Sequence, residues 1–230
     1  MMELSPPACP VAPEPEPARP PKPVDLIHHL RQAEYPEAAR VAEALAREGH
    51  AGRPESEVAL LLALNAPDSD TRRRAIWALG KWTHPSQETL ASLGALMTDE
   101  NPWVRAEVAE TLGRIGPPAA FASTQLMVAV GADPIPAVRR WAAWALSRLL
   151  APSQTAAGVS VLSGALLNEA EVVEVRREAA ESLGRLADVC PEAVVVLRQA
   201  AHGPDREMVR LAVYDVLRDE RQRAEIFAVA

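Results

Sequence analysis

The chain of 230 residues has few aromatic residues, few cysteines and no excess of positive charge. Aromatic residues make up only 4% of it, and almost no segment alternates apolar and polar residues with a period of two. This composition favours an all-α fold over one built on sheets. The net charge of −7 argues against a protein whose main task is to coat nucleic acid, although it leaves room for a local basic surface.

Two further absences bear on the compartment. Cys9 and Cys190 lie at opposite ends of the chain, so we expect no disulfide, and two thiols alone cannot build a zinc site. The N-terminus has no basic region followed by a long apolar core, and no apolar stretch reaches the roughly 18 residues that span a bilayer. We therefore predict a cytoplasmic protein without membrane insertion.

Recognisable catalytic motifs are also missing. The sequence has no Gly-rich phosphate loop, no nucleophile elbow and no cysteine–histidine spacing. We interpret the adjacent pair His28 and His29 as an ordinary surface feature of a helix. The sequence thus predicts no catalytic residue, no cofactor and no metal site, and no glutamate follows any of the five histidines: His28, His29, His50, His84 and His202.

A helical phrase that opens with arginine occurs five times. Its arginines, spaced by 33, 34, 37 and 34 residues, are Arg72, Arg105, Arg139, Arg176 and Arg210. A fixed period in this range is typical of stacked supersecondary units and not of one closed globule. Counted from the arginine as position zero, positions −1, +3, +4 and +7 form one apolar helical stripe. Position +8 is small until Arg218, so we expect the next repeat's helix to cross there and the array to end at Arg218.

These units predict an all-α superhelix, a solenoid of about six helical hairpins over residues 24–218. Each hairpin has a helix A, a short turn and a helix B that carries the phrase. Pro85 is expected to open one helix A, Asn101 to cap the helix B after it, and Gly116 to end that helix. With residues 24–49 as a degenerate first copy, we predict twelve helices in six antiparallel pairs, no sheet and a right-handed curved stack.

Both termini are expected to lie outside the solenoid. Residues 1–23 contain nine prolines, which favour extended conformers over helix or sheet and predict a disordered leader. The alternative is that the leader is a ligand for an aromatic-lined groove. Residues 219–230 are assigned to a C-terminal tail.

The clearest copy of the phrase runs Asn101-Pro102-Trp103-Val104-Arg105 and continues with Ala109, Leu112 and the segment 113–116. It resembles HEAT repeats, in particular the short bacterial type named for phycobilisome-lyase-like proteins, over roughly residues 24–218. The resemblance implies an α–α solenoid but little about function, because that family includes lyase subunits, scaffolds, adaptors and hydroxylases. The hydroxylases carry paired His-Glu steps that bind two irons, and this sequence has none.

The recurring arginine at position zero could be taken for a ladder of ligand-binding groups. We instead expect a structural role, in which it pairs with acidic or carbonyl groups of the adjacent turn. The candidates are Asp68, Asp99 and Asp133.

Positions +1, +2, +5 and +9 lie opposite the apolar stripe and should line the exposed, concave face. On two helices a cation, a tryptophan and a second cation follow at intervals of four residues, which predicts two ridges: Arg73, Trp77 and Lys81, and Arg140, Trp144 and Arg148. Tryptophan and arginine are enriched in binding hot spots. We therefore predict a protein-binding surface formed by Arg73, Trp77, Lys81, Arg114, Arg140, Trp141, Trp144, Arg148, Arg177 and Arg185.

The alternative is a merely solvated face closed by salt bridges. In that case Glu107 and Glu110 would tie down Arg73 and Arg140 across neighbouring helices.

The leading functional hypothesis is a non-catalytic scaffold or adaptor that binds another protein with an acidic or mixed surface. The resemblance supplies an enzymatic alternative, a bilin lyase-like subunit that binds a tetrapyrrole or a phycobiliprotein, with arginines pairing the propionates. A HEAT-like DNA-binding protein is less favoured, because the net charge is negative and no catalytic carboxylate in an aromatic pocket is evident. Nucleic acid is therefore not an expected partner.

Overall fold

The computed structural model describes residues 54–82, 84–203 and 206–214, together with His28, Ala44, Ala224 and Ile226. These residues contain no strand, and none of their helices is long and apolar enough to cross a membrane. Three short 3-10 turns join the helices at Leu96–Thr98, Pro117–Ala122 and Pro152–Gln154. The helices are α1 Pro54–Leu64, α2 Ser69–Leu79, α3 Gln87–Ala95, α4 Pro102–Ile115, α5 Ser123–Ala132, α6 Pro136–Leu149, α7 Thr155–Leu167, α8 Val173–Leu186, α9 Pro191–Ala201 and α10 Arg206–Tyr214.

The helices pair in chain order into hairpins, from α1 with α2 to α9 with α10, and each hairpin packs on the hairpins beside it in sequence. The second helices of the hairpins stack on one another more closely than the first helices do. Close stacking of one layer is what the inner side of a curved stack requires. The all-α solenoid is thus confirmed. The first predicted hairpin, residues 24–49, lies outside the described residues except for His28 and Ala44, which are both helical.

Local sequence signals explain where the helices begin and end. Asn101 accepts the N–H of Trp103 at 2.9 Å, and α4 ends at Gly116, whose φ of +75° is the left-handed region that favours glycine. The expected start at Pro85 is wrong by two residues. Ser86 caps α3 instead, because its hydroxyl accepts the N–H of Thr89 at 3.1 Å.

The core is one continuous hydrophobic cluster that runs through all the described hairpins. The predicted stripe on α4 is fully buried, as Val104 and Leu112 show, and equivalent positions on α6 and α8 are buried with it. Ile226, within the segment assigned to a C-terminal tail, is helical and fully buried in the same cluster. An apolar side chain from this segment therefore covers part of the core.

Candidate protein-binding face

Three arginines at position zero, Arg72, Arg105 and Arg139, connect their hairpin to the next. Of the other two, Arg176 donates to the carbonyl of Leu166 in its own hairpin and Arg210 pairs with Glu207 on its own helix. Arg72 donates to two backbone carbonyls of its own turn and, across to the following turn, to Asp99 Oδ1 at 2.9 Å. Arg105 repeats the arrangement, since it donates to the carbonyl of Asp99 at 2.7 Å and to both oxygens of Asp133 at 2.7 and 3.1 Å. The predicted pairing with Asp99 and Asp133 is therefore present. These side chains are an arginine ladder along the turns.

The ladder continues in the next hairpin. Arg139 donates to both carboxylate oxygens of Glu171 at 2.6 Å and to the carbonyl of Asp133 at 2.7 Å. These hydrogen bonds lower the pKa of Glu171, because they favour its charged form. Asp68 is different from the prediction, since it caps α2 by accepting the N–H of Thr71 at 2.7 Å.

The ten residues predicted as a protein-binding surface lie along α2, α4, α6 and α8, with Lys81 two residues beyond the end of α2, and we call them the indole face. Its three tryptophans are half-buried and pack against the core cluster. Trp144 was expected to point away from the packed stripe, and that expectation is wrong. Its ring lies on Gly113 of the preceding hairpin, where an added Cβ would also approach the Cα of Ala145 to 2.9 Å.

Glycine at position +8 therefore has a specific cause. At Gly113 the backbone of α4 leaves a space that the indole of the next repeat fills. At Gly80 an added Cβ would lie 3.0 Å from the hydroxyl of Thr111, also in the next repeat. The predicted crossing of the next helix at position +8 is thus present at both glycines.

Cations lie on all three indoles. Lys81 lies 5.1 Å from the centre of the Trp77 ring, and Arg148 lies 4.8 Å from that of Trp144, so two of the predicted cation–ring contacts form. Arg140 instead stacks on Trp141 at 4.9 Å.

The two indoles of α6 join these contacts into one stack. The rings of Trp141 and Trp144 meet edge to face with their centres 5.6 Å apart. Arg140, Trp141, Trp144 and Arg148 therefore follow one another as cation, ring, ring and cation, and we call them the α6 stack.

The first cation of the α2 ridge is turned away from its indole. Arg73 lies 3.8 Å from Asp70 and 3.8 Å from Glu107 of the next hairpin. Glu107 thus forms the ion pair with Arg73 that the alternative of a salt-bridged face predicts. Glu110, in contrast, pairs with Arg114 on its own helix and not with Arg140.

Carboxylates neutralise the face on alternate helices. On α8, Glu181 pairs with Arg177 at 3.1 Å and with Arg185 at 3.3 Å, and Glu178 lies 3.5 Å from Arg185. Burial raises the pKa of Glu178 and the charge of Glu181 adds to this effect, whereas Arg185 and, from α6, the more weakly acting Arg140 oppose it. Burial and the charge of Glu110 raise the pKa of Glu107 on α4 in the same way.

Three cations of the face have no such partner. Within the described part of the chain, no carboxylate forms an ion pair with Lys81, Arg140 or Arg148. Arg148 donates its Nε–H to the carbonyl of Gly113 at 3.1 Å, which fixes the guanidinium across the two helices. The face therefore alternates: cations lie on indoles at α2 and α6, whereas the carboxylates of α4 and α8 pair with arginines, Glu107 with Arg73 of α2 and the others within their own helix.

Sequence reasoning missed position +6, which lies at the contact between successive second helices. Ser182 is fully buried there and donates its hydroxyl to the carbonyl of Ala143 at 3.0 Å. Thr111 occupies the same position one hairpin before α6 and is also fully buried. The signal available in the sequence was size, because the position is small in four successive copies: Ala78, Thr111, Ala145 and Ser182.

Away from the indole face, a cleft of about 610 Å³ separates the turn after α3 from α5, with Met97 and the exposed Val128 among its lining residues. Its charged groups, Arg105 and Asp133, are already paired in the arginine ladder. In the ranges that the structure describes, no group of three or more His, Cys, Asp or Glu side chains is arranged to hold a metal.

Comparisons with known proteins agree with this architecture. The model of a family described as HEAT repeats matches residues 56–147 and 123–218. No curated protein matches the sequence significantly.

Several solved structures share the fold. A designed armadillo repeat protein in complex with the peptide (KR)4 is 16% identical with a TM-score of 0.56, over 84% of this chain and 98% of that one. The complex of CpcE and CpcF of phycocyanin lyase from Nostoc is 20% identical with a TM-score of 0.55, over 88% and 79%. Yeast importin-β is 14% identical with a TM-score of 0.62, over 88% of this chain and 30% of importin-β. At these identities the similarity is one of fold alone.

Proposed function

The chain belongs to the HEAT-repeat family, and we propose that it is a non-catalytic scaffold or adaptor that holds another protein on its indole face. Solenoids of this kind are typical protein-binding scaffolds, and the designed armadillo structure holds a peptide. The single observation that carries the proposal is the set of three cations, Lys81, Arg140 and Arg148, that lie on indoles and form no ion pair with any carboxylate among the described residues. Such groups are available to a ligand, whereas cations consumed in salt bridges are not.

The charge of the face favours a partner with an acidic or mixed surface. Basic side chains outnumber acidic ones on α2 and α6, although the whole protein carries a net charge of −7. A local basic surface on an acidic protein attracts acidic partners and repels bulk polyanions at longer range. The reducing cytoplasm is the proposed compartment, in keeping with the free, buried thiol of Cys190.

The test is capture of partners from a native extract by the immobilised full-length protein and by two variants with the same change of charge. Arg148→Glu reverses a cation of the indole face, whereas Arg206→Glu reverses an exposed cation at the first residue of α10. We expect a partner that the wild type and Arg206→Glu retain and that Arg148→Glu loses, with circular dichroism showing all three folded. Retention by the folded Arg148→Glu variant would contradict the use of this face.

A bilin lyase-like function is a second candidate, and one observation favours it. Arg140 and Arg148 flank two indoles on one helix, which suits a flat ligand with two carboxylates. Titration with a bilin should then change the bilin absorbance with the wild type but not with Arg148→Glu. An unchanged spectrum with the wild type would argue against this candidate.

A further inference from the structure

We propose that the partner contributes an extended acidic segment that is held at two separate points, on Lys81 with Trp77 and on the α6 stack, with no charged contact required between them. This inference rests on the proposed function and specifies the chemistry and spacing of the partner. It follows from the alternation of the indole face: available cations occur on α2 and α6, and the helix between them carries pairs that are already neutralised.

The α6 stack is the stronger of the two points. Arg148 uses its Nε–H for Gly113, and within the described residues its two terminal nitrogens donate to no protein atom, so they are free to bind a carboxylate in the bidentate manner. Its guanidinium carbon lies over the Trp144 ring at 4.8 Å, and that of Arg140 lies over Trp141 at 4.9 Å. Cations that are positioned before binding lose less side-chain entropy when a ligand arrives.

The spacing follows from the stack of helices. Neighbouring packed helices are about 8–10 Å apart, so α2 and α6 are separated by about 16–20 Å across α4. An extended chain advances about 3.3 Å per residue, so about five or six residues bridge the two points. A segment crossing the second helices therefore needs acidic residues at this interval.

The carboxylates between the two points select a protein segment over a nucleic acid. Duplex DNA carries one charge per about 1.7 Å of its axis, so phosphates would lie opposite α4 wherever the backbone crossed it. There Glu107 and Glu110 pair with Arg73 and Arg114, so within the described residues α4 offers no unpaired cation to a phosphate. A protein segment can place neutral residues opposite α4, which a phosphate backbone cannot.

The experiment compares two fluorescein-labelled peptides with the same composition. In the spaced peptide two Asp-Asp pairs are separated by about five Gly and Ser residues, and in the compact peptide the four acidic residues are contiguous. Both are titrated at low salt into the full-length wild type, Lys81→Ala, Arg148→Ala and Arg206→Ala, and binding is followed by fluorescence anisotropy. The last variant removes an exposed cation outside the indole face.

We expect the spaced peptide to bind the wild type at least about fivefold more tightly than the compact one, because two linked contacts raise the effective concentration of the second. Lys81→Ala should abolish this difference, while Arg148→Ala should weaken both peptides about tenfold or more, as expected of a hot-spot residue. Arg206→Ala should change neither.

Equal binding of the two peptides by the wild type, or an equal effect of Lys81→Ala on both, would overturn the two-point model. Tighter binding of duplex DNA than of the spaced peptide, with a steep dependence on salt, would overturn the choice of a protein segment. If both peptides fail while native partners are still lost in Arg148→Glu, the inference fails and the proposed function stands. If that capture is also insensitive to Arg148, the proposed function fails as well.

Discussion

The indole ring of Trp144 lies directly on the backbone of Gly113, one hairpin earlier in the stack. This contact explains both the glycine at position +8 and the half-buried state of the tryptophan at position +5. A change at either residue should therefore lower the stability of the protein, because Gly113 leaves the space that the Trp144 ring fills.

Gly113→Ala should destabilise the protein by about 1–3 kcal/mol, the usual penalty of overpacking, because the new methyl group would collide with the Trp144 ring. This penalty outweighs the gain of about 1 kcal/mol that alanine gives in a helix interior. The control is Gly131→Ala on α5, where nothing lies within 4 Å of an added Cβ, and which should stabilise the protein by about 0.5–1 kcal/mol. Urea unfolding of both variants measures the contrast, and a stable Gly113→Ala would contradict the observed contact.

Trp144→Ala should lower the free energy of unfolding by about 2 kcal/mol, less than the roughly 3–5 kcal/mol for a fully buried ring. The sequence alone placed this residue on the exposed face, opposite the apolar stripe. Glu181→Ala, at the same position one repeat later, removes only partly exposed ion pairs and should cost less than about 1 kcal/mol. Thermal and urea unfolding of the two variants test this, and equal stabilities would show that the ring contributes nothing to packing.

Glu171→Gln should destabilise the protein by about 2 kcal/mol, between the values for exposed and buried ion pairs, because Arg139 loses its charged partner. The pKa of Glu171 is lowered in the folded state by its hydrogen bonds to Arg139. Its contribution is therefore present above the pKa of the unfolded chain and is lost as the pH falls through the folded value. Urea unfolding of wild type and variant should show a difference at pH 7 that shrinks below about pH 4. A difference independent of pH would indicate a purely steric effect.

Glu178→Gln should have the opposite pH dependence. Burial raises the folded pKa of Glu178, so the folded state retains this proton at a pH at which the unfolded chain has lost it. The charged form is therefore penalised increasingly as the pH rises above the unfolded pKa. The free energy of unfolding of the glutamine variant, relative to that of the wild type, should therefore be higher at pH 7 than at pH 4. The same urea titrations decide this, and a larger relative loss at pH 7 would mean that pairing with Arg185 outweighs burial.

Ile226→Ala should destabilise the protein by about 2–4 kcal/mol, the range for a large aliphatic side chain truncated in a core. Leu211→Ala on α10 is the control, because that side chain is 56% exposed. Thermal unfolding should separate the two variants clearly. If both melt like the wild type, the segment 219–230 does not contribute to the core.

The repeat architecture could be predicted from the sequence because it depends on backbone periodicity. The apolar stripe, the cap at Asn101 and the stop at Gly116 are local signals that act within one helix. The pairing of Arg105 with Asp133 could be anticipated too, since arginine and carboxylate recur with the same period.

The sequence could not predict the side-chain orientations that depend on contacts between helices. Trp144 turns towards Gly113, and Arg140 stacks on Trp141 instead of Trp144, because the neighbouring helix leaves room on one side. A helical spacing of four residues places two side chains on the same face but does not fix the direction in which each of them turns. These orientations decide which cations of the face remain available.

The two edges of the stack differ in how firmly they are fastened. Along the turns, Arg72, Arg105 and Arg139 each bridge to a carboxylate in the next hairpin, whereas at the far ends of α4 and α6 Arg148 donates one hydrogen bond to the carbonyl of Gly113. Charged pairs thus hold the hairpins together at the edge formed by the turns, whereas a neutral acceptor, the carbonyl of Gly113, holds Arg148 at the opposite edge. Arg148 is also the side chain proposed to bind the partner's carboxylate. A carboxylate that binds the terminal nitrogens of Arg148 leaves its Nε–H on Gly113, so ligand binding would stabilise the weaker edge of the stack.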